Sequence, residues 1–316
     1  MDILILCPII NALETGLYTT ARRWETIFRQ LGHNVRIASP SDAVTETDIL
    51  VALNPVRCSS YLEDLPLSET PLIVVLTGTD IYNELKKKPN FYRHLESARV
   101  LIGLHPGITE EVPERYRSKL RVIVQSAPNQ KSRPQNNILY GQAIFIANLR
   151  YFKRPMTVFA AACALNENVN INITHIGDIV DDEYHFWSQP EFHKTVPRYN
   201  WLGAKTREDT ASALASSDVM LIASSTEGGS NVQSEAISAG VPIISSRNRC
   251  VESLLGSDYP GLFDTDNHHQ LACLIEKFFV DHSFRELLKS NVSRASYQFS
   301  YDLEVEKWKN VIQEIT

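Results

Sequence analysis

Short apolar runs alternate with amphipathic stretches along most of the chain. The runs are rich in Val, Ile and Leu, which is typical of strands buried on both faces of a parallel sheet. The stretches between them carry apolar residues at helical spacing, as in residues 19–31. This alternation predicts a parallel α/β fold. In the first half we predict strands at residues 3–6, 35–38, 49–53, 72–76, 100–104 and 122–124.

A second alternation follows a polar stretch at residues 129–137, which contains a proline, has no apolar period and reads as a linker. We therefore expect two Rossmann-like, doubly wound domains that face a central cleft, at residues 1–135 and 136–298. Residues 299–316 should form a terminal helix, which either packs back on the N-terminal domain or remains an ordinary chain end. In the second domain we predict a helix at 156–165 and strands at 143–147, 171–176, 199–202, 219–223 and 241–245.

Composition narrows the classes of function. With 316 residues the chain is long enough for about two domains with separate cores. A net charge of −6 argues against a nucleic-acid partner or an anionic-membrane surface. No apolar run approaches the roughly 18 residues that span a bilayer, so no integral membrane contact is expected. Five scattered cysteines without C-x-x-C spacing argue against a zinc site and favour a cytoplasmic protein.

A tight glycine turn follows the predicted strand at 219–223. Gly228 and Gly229 form the turn, and Ser230 has a glutamine three residues on, the spacing of a capping box that opens a helix. The N-terminus of a helix presents free backbone N–H groups and the positive end of its dipole, so it suits a phosphate. Gly228, Gly229, Ser230 and Asn231 are therefore predicted to bind the nucleotide, with the turn facing its phosphates.

Two glutamates flank this turn. Glu227 precedes it, and Glu235 lies on the second turn of the predicted helix, so both can face one ligand. Carboxylates accept hydrogen bonds from hydroxyl groups such as those of ribose or another sugar. The competing interpretation is a pair of solvated surface carboxylates. A strand, a glycine pair and a capped helix occur together in this segment, and that combination favours a binding site. The segment therefore predicts a site for a nucleotide joined to a sugar.

Basic residues follow the first strand of the second domain. Arg150 offers a planar fork to phosphate oxygens, and Lys153 offers a point charge. Because both lie at a strand end, where ligands of doubly wound sheets bind, we expect them to contact a pyrophosphate. Arg154, one residue further on, is interpreted as part of a solvated basic turn.

The first domain carries candidates for a second ligand at its strand ends. Asp80 either belongs to that site or simply caps a helix at residues 81–87. His105 follows the strand at 100–104 and is interpreted first as a structural histidine. The acceptor-binding candidates are Gly16, Arg57, Thr77, Gly78, Thr79 and Asp80.

Together these residues resemble the retaining GT-B glycosyltransferases that carry a Glu-x7-Glu motif. The resemblance implies that Glu235 holds the nucleotide ribose and Glu227 the hydroxyls of the donor sugar. It also implies that Arg150 and Lys153 neutralise the diphosphate, without a metal and with no cofactor beyond the UDP-sugar co-substrate. The family pattern places its arginine five residues before the lysine, where this chain has Asn148.

A closer resemblance, to the selenosugar synthases of selenoneine biosynthesis, runs through most of the chain. It implies transfer of a hexose or N-acetylhexosamine from UDP-glucose or UDP-GlcNAc to selenophosphate, giving a 1-selenosugar. The chain departs from that pattern on the acceptor side, where only Arg57 remains of two expected arginines. A thiol or hydroxyl acceptor, a UDP-GlcNAc epimerase and a non-catalytic UDP-sugar binder therefore stay open as alternatives. The similar segments are residues 20–24, 31–33, 76–82, 125–127, 198–203, 227–231 and 254–261.

Overall fold

The computed structural model describes residues 1–8, 16–43, 46–64, 70–127, 141–189, 191–192 and 195–316. The predicted linker at 129–137 and the predicted domain boundary at 135/136 lie outside these residues. The chain divides into two compact units. Unit 1 comprises Met1–Ser126, Glu227–Asn231 and Ser300–Thr316, and unit 2 comprises Ala127–Thr226 and Val232–Phe299.

Unit 1 is built on a parallel sheet with the strand order β2-β1-β3-β4-β5-β6. The central strands are buried along their whole length, which explains their continuous apolar sequences. Ile3 and Ile5 of β1 face one layer of helices, whereas Leu4 and Leu6 face the other. The strands are β1 Asp2–Leu6, β2 Asn34–Ala38, β3 Ile49–Leu53, β4 Leu72–Leu76, β5 Val100–Gly103 and β6 Leu120–Val122.

Helices cover both faces of this sheet. The first layer contains α1 and the C-terminal helix α11, and the second contains shorter helices. A π-helical turn at Asp80–Glu84 precedes α3, where the sequence predicted one regular helix at 81–87. The helices are α1 Gly16–Gln30, α2 Ser59–Glu63, α3 Leu85–Lys87, α4 Tyr92–Ser97 and α11 Tyr301–Ile315.

The C-terminal helix α11 is part of unit 1. The ring of Trp308 contacts those of Trp24 and Phe28 edge-on, with centroids 4.7 and 4.9 Å apart. Glu304, only 1% exposed, accepts hydrogen bonds from Nε1 of Trp24 at 2.7 Å and from the backbone N–H of Ser126 at 2.8 Å. A buried carboxylate with these donors fixes the helix to α1 and to the segment after β6.

Unit 2 contains a second parallel sheet, with the order β12-β11-β10-β7-β8-β9. Its core includes an aromatic cluster in which Phe159 and Trp187 pack against Tyr199. The strands are β7 Gly141–Ile146, β8 Ile171–Ile176, β9 Tyr199–Trp201, β10 Val219–Ile222, β11 Ile243–Ser246 and β12 Leu262–Phe263. The helices are α5 Pro155–Ala164, α6 Arg207–Ala215, α7 Asn231–Ala239, α8 Arg249–Leu255, α9 His268–Val280 and α10 His282–Ala295.

The predicted fold class is confirmed, because both sheets are parallel and carry helices in the alternating order. Among the described residues, no helix combines the length and apolar composition needed to cross a membrane.

Candidate functional site

The predicted turn and helix lie after β10. Helix α7 begins at Asn231, directly after Ser230, and ends at Ala239. Gly240 has a left-handed φ of +73°, and the N–H of Val241 donates to the carbonyl of Ala236 at 2.9 Å. A glycine in this left-handed conformation ends the helix.

Gly228 and Gly229 are required by close packing. A Cβ on Gly228 would lie 2.2 Å from the carbonyl carbon and oxygen of Thr77, and one on Gly229 would lie 2.5 Å from Cβ of Leu104. Gly78 has a φ of +111°, and its own Cβ would meet the N atom of Gly228 at 2.7 Å. Within unit 1, the turn at Glu227–Gly229 is therefore fixed against the ends of β4 and β5.

Asp80 shapes the turn after β4. Its carboxylate accepts hydrogen bonds from the N–H groups of Thr77, Gly78 and Ile81 at 2.8–2.9 Å and is fully buried. Burial raises the pKa of Asp80 to about 6, although the backbone hydrogen bonds oppose this shift. These contacts favour a structural role for Asp80 over a direct contact with an acceptor. The predicted helix cap is wrong, however, because Asp80 is itself the first residue of the π-helical segment and its carboxylate binds the N–H groups of the preceding turn. Thr77 and Thr79 remain partly exposed at the same turn.

His105 lies beside Glu227 and is fully buried. The hydroxyl of Tyr82 is 3.1 Å from Nε2 of His105. The side chain of His105 also forms a hydrogen bond with the backbone of Glu227. Burial lowers the pKa of His105 to about 4, although the Glu227 hydrogen bond opposes this shift, so the ring is neutral near pH 7. His105 thus supports the backbone of Glu227, whose residue exposure is 8%.

Asn231, predicted to contact the nucleotide, has its side chain directed at α1. Its Nδ2 donates to the carbonyl of Gly16 at 3.0 Å, and its Oδ1 accepts from Arg23 at 2.7 Å. The hydroxyl of Thr20 donates to the same Gly16 carbonyl at 2.9 Å. These contacts leave the backbone of Asn231, rather than its amide group, as the part suited to a phosphate.

Glu235 lies on the second turn of α7, as predicted. Its side chain is 18% exposed, and one carboxylate oxygen is 3.9 Å from a guanidinium nitrogen of Arg207. Arg207 is the first residue of α6, which Thr206 caps by accepting from the N–H of Asp209. Nothing in the spacing of the sequence indicated that Arg207 would lie near Glu235.

The basic residues after β7 divide into two groups. The guanidinium carbon of Arg150 lies 5.7 Å, and Nζ of Lys153 5.5 Å, from the ring centroid of Phe152. Both residues are partly buried. Arg154, which was expected in a solvated basic turn, is instead largely covered, with a side-chain exposure of 23%, and its Nε lies 3.3 Å from Oδ1 of Asp266. The carbonyl of Phe152 accepts from the N–H of Ser225 at 2.9 Å, which ties this loop to the end of β10.

A buried histidine, His175, forms hydrogen bonds at the start of the basic loop that follows β7. Nε2 of His175 donates to the carbonyl of Ala147 at 2.8 Å, and the hydroxyl of Tyr199 is 2.7 Å from Nδ1. Asn148, where the family pattern has arginine, accepts from the N–H of Asp178 at 3.0 Å. Here Asn148 fixes the backbone of the neighbouring loop in unit 2.

Arg57, the remaining acceptor-side candidate, forms an ion pair with Glu84, with Nε and Oε1 3.6 Å apart. Asn54 contacts both partners: its Oδ1 accepts from the N–H of Arg57 at 3.0 Å, and its Nδ2 donates to Glu84 at 3.3 Å. Sequence reasoning singled out neither Asn54 nor Glu84. Within the ranges that the structure describes, no cluster of three or more His, Cys, Asp or Glu side chains could hold a metal ion.

Solved structures share this fold. HepE of Anabaena, crystallised with UDP and glucose, superposes with a TM-score of 0.78 over 99% of both chains at 14% identity. A sucrose-phosphate synthase of Thermosynechococcus elongatus gives a TM-score of 0.78, covering 99% of this chain and 98% of its own, at 11% identity. A glycosyltransferase of Rickettsia africae gives 0.75 over 99% and 98%, at 14% identity. At such identities the likeness establishes the two-domain GT-B fold. No curated protein matches the sequence.

The family assignment comes from the sequence of the second half. Residues 129–295, more than half of the chain, match the model of the glycosyl transferases group 1 family. That match spans the basic loop after β7, the Gly228-Gly229 turn and α7. The match identifies the family but says nothing of the selenosugar synthases, so the closer resemblance stays a prediction. The chain belongs to the glycosyl transferases of group 1.

Proposed function

We propose that this glycosyl transferase moves a hexose or N-acetylhexosamine from a UDP-sugar to a small acceptor. The observation that carries the proposal is the glycine turn of Glu227–Gly229, which precedes α7 and its Glu235 at the carboxyl end of β10. The HepE structures, which contain UDP or UDP-glucose on the same fold, support UDP as the nucleotide.

Each carboxylate is assigned to one half of the donor. Glu235, 18% exposed on α7, accepts hydrogen bonds from the ribose hydroxyls. Glu227 accepts from hydroxyls of the donor sugar, and the contact between His105 and its backbone holds it in place. The N–H groups of Gly228 and Gly229 face the phosphates at the N-terminal end of α7.

In the transfer step, a bond forms between the acceptor atom and C1 of the sugar. The bond from C1 to the β-phosphate oxygen breaks, and UDP leaves with the electron pair. Where the acceptor is a hydroxyl or thiol, its proton passes to the phosphate oxygen that is released. Arg150 and Lys153 stabilise the charge that develops on UDP, an effect commonly worth about 3 kcal/mol per preorganised donor. Because these cations carry that role, the proposed mechanism needs no metal and no cofactor beyond the UDP-sugar co-substrate.

For the acceptor, the resemblance supports selenophosphate, whose selenium anion is nucleophilic without a general base. A second candidate is an acceptor that presents a hydroxyl or thiol. The ion pair between Arg57 and Glu84 favours this candidate, since Glu84 offsets the positive charge that a trianion requires.

The test is UDP release by the purified protein from UDP-glucose and UDP-GlcNAc, with products identified by mass spectrometry. Selenophosphate, thiophosphate, a panel of hydroxyl compounds and no acceptor form the parallel arms. Acceptor-dependent release with a glycosylated product is the expected result. UDP binding without release in any arm would indicate a non-catalytic binder, and inversion at C2 of UDP-GlcNAc alone would indicate an epimerase.

A further inference from the structure

The pair formed by Arg57 and Glu84 lies where a second substrate would enter unit 1. Arg57 follows β3 and Glu84 lies on the π-helical turn after β4, and these two strands are parallel neighbours. Ligands of doubly wound sheets bind at the carboxyl ends of the strands. The two side chains are 33% and 26% exposed, so a ligand can reach both charges.

Asn54 holds this pair in a fixed arrangement. It is fully buried and has a φ of +67°, a left-handed conformation that asparagine tolerates better than most residues with a Cβ. Its amide group contacts the N–H of Arg57, the carboxylate of Glu84 and the hydroxyl of Thr79. The three contacts therefore hold the Asn54 side chain, and with it Arg57 and Glu84, in one arrangement.

The charges of the pair restrict what can bind. Alone, Arg57 would suit a phosphate, since its guanidinium matches phosphate oxygens with two parallel donors. Glu84 places a negative charge 3.6 Å from Nε of Arg57, so a polyanion that approaches Arg57 is repelled by Glu84. A molecule with one carboxylate for Arg57 and a hydroxyl for Glu84 satisfies both groups.

We propose that Glu84 determines the charge class of the acceptor, so that the site takes a hydroxy acid and disfavours phosphate-type polyanions, including the selenophosphate that the resemblance supports. The identification of this ligand as the acceptor rests on the proposed sugar transfer. The charge selection itself is a binding property of unit 1 and can be measured without turnover.

The experiment is calorimetric titration of the full chain with glycerate and with inorganic thiophosphate. Wild type should bind glycerate more tightly than thiophosphate. Glu84→Gln should tighten thiophosphate binding roughly three- to fivefold, the upper part of the range expected for removing one partly exposed charge. Arg57→Gln should weaken the binding of both ligands. Glu111→Gln is the matched control, because Glu111 also pairs with a basic residue, Lys86, within unit 1 and its loss changes the net charge equally; it should leave both affinities within twofold.

Three results would overturn the inference: thiophosphate bound more tightly than glycerate by wild type, no glycerate binding, or no gain in thiophosphate affinity in Glu84→Gln. If that variant did not fold, the preference of wild type between the two ligands would decide. The UDP-release assay separates the two proposals. Absence of release with every acceptor contradicts sugar transfer, whereas the titrations report on charge selection alone.

Discussion

Among single residues, Lys153 has the clearest assigned task in the transfer. Lys153→Ala should lower kcat for UDP release at least about 100-fold, because one preorganised charge on the leaving group is lost. Lys153→Arg, which keeps the charge, should lose less. Steady-state UDP release, with circular dichroism to check the fold, measures both.

Arg154 provides the control in the same loop. Because its guanidinium pairs with Asp266 and stacks on Tyr151, Arg154→Ala should reduce stability while changing kcat only a few-fold. Activity of Lys153→Ala close to that of wild type would contradict the assignment of Lys153.

The contribution of Asp80 to the stability of the folded protein should depend on pH with a sign opposite to that of an ordinary surface carboxylate. Burial raises the pKa of Asp80 in the folded protein to about 6, above its usual value of 3.8. The folded state then binds the proton more tightly than the unfolded state, so this group's contribution to stability falls as pH rises between about 4 and 6. We expect wild type to lose stability relative to Asp80→Asn over that window by up to about 3 kcal/mol.

Urea unfolding of both proteins at pH 4.5 and pH 7 measures this difference, and a carbon-13 NMR titration gives the carboxyl midpoint directly. Because the three N–H donors to Asp80 also stabilise its charged form, the two effects compete. A midpoint below pH 4 would show that the hydrogen bonds outweigh burial.

At the scale of elements, the glycine turn before α7 allows a sharp comparison. Gly228→Ala should abolish transfer and destabilise the fold, because the new Cβ would lie 2.2 Å from the backbone of Thr77. Gly32→Ala is the control: Gly32 has a φ of +88° and open space around it, so only backbone strain of about 1 kcal/mol is added. Thermal unfolding and UDP release test the pair. Equal losses in both variants would exclude the close approach as the cause.

The sequence predicted those elements that are defined by local pattern. Apolar runs located β3 and β4 at their observed bounds, and helical periodicity located α11. The π-helical turn at Asp80–Glu84 was missed, because it depends on the contacts of the buried Asp80 with its own turn.

The candidate site divides in the same way. Glu227, Glu235 and the glycine pair stand in one short segment, so spacing alone indicated them. The pairs Arg57–Glu84 and Arg207–Glu235 join residues that are distant in sequence, and tertiary structure alone reveals them. Asn54 was missed for a related reason, since its left-handed backbone conformation leaves no mark in composition or periodicity.

At the scale of the whole molecule, both units are assembled from separated parts of the chain. Unit 1 needs α11, whose Trp308, Val311, Ile312 and Ile315 lie in the same core cluster as Trp24 and Phe28. Burying each such side chain contributes about 1.5–3 kcal/mol, so losing all four costs as much as the roughly 5–15 kcal/mol that stabilises a typical domain. Residues 1–126 expressed alone should therefore fail to fold.

A rearranged fragment isolates the contribution of α11. Residues 300–316 placed before residues 1–126, through a flexible glycine-serine linker, restore Trp308 and the contacts of Glu304 with Trp24 and Ser126. This fragment should be soluble and unfold cooperatively in urea, whereas the same fragment with Trp308→Ala should be destabilised by about 3–5 kcal/mol. Cooperative unfolding of residues 1–126 alone would show that the sheet of unit 1 does not require α11, and that the buried Glu304 contacts serve to hold the chain end rather than the fold.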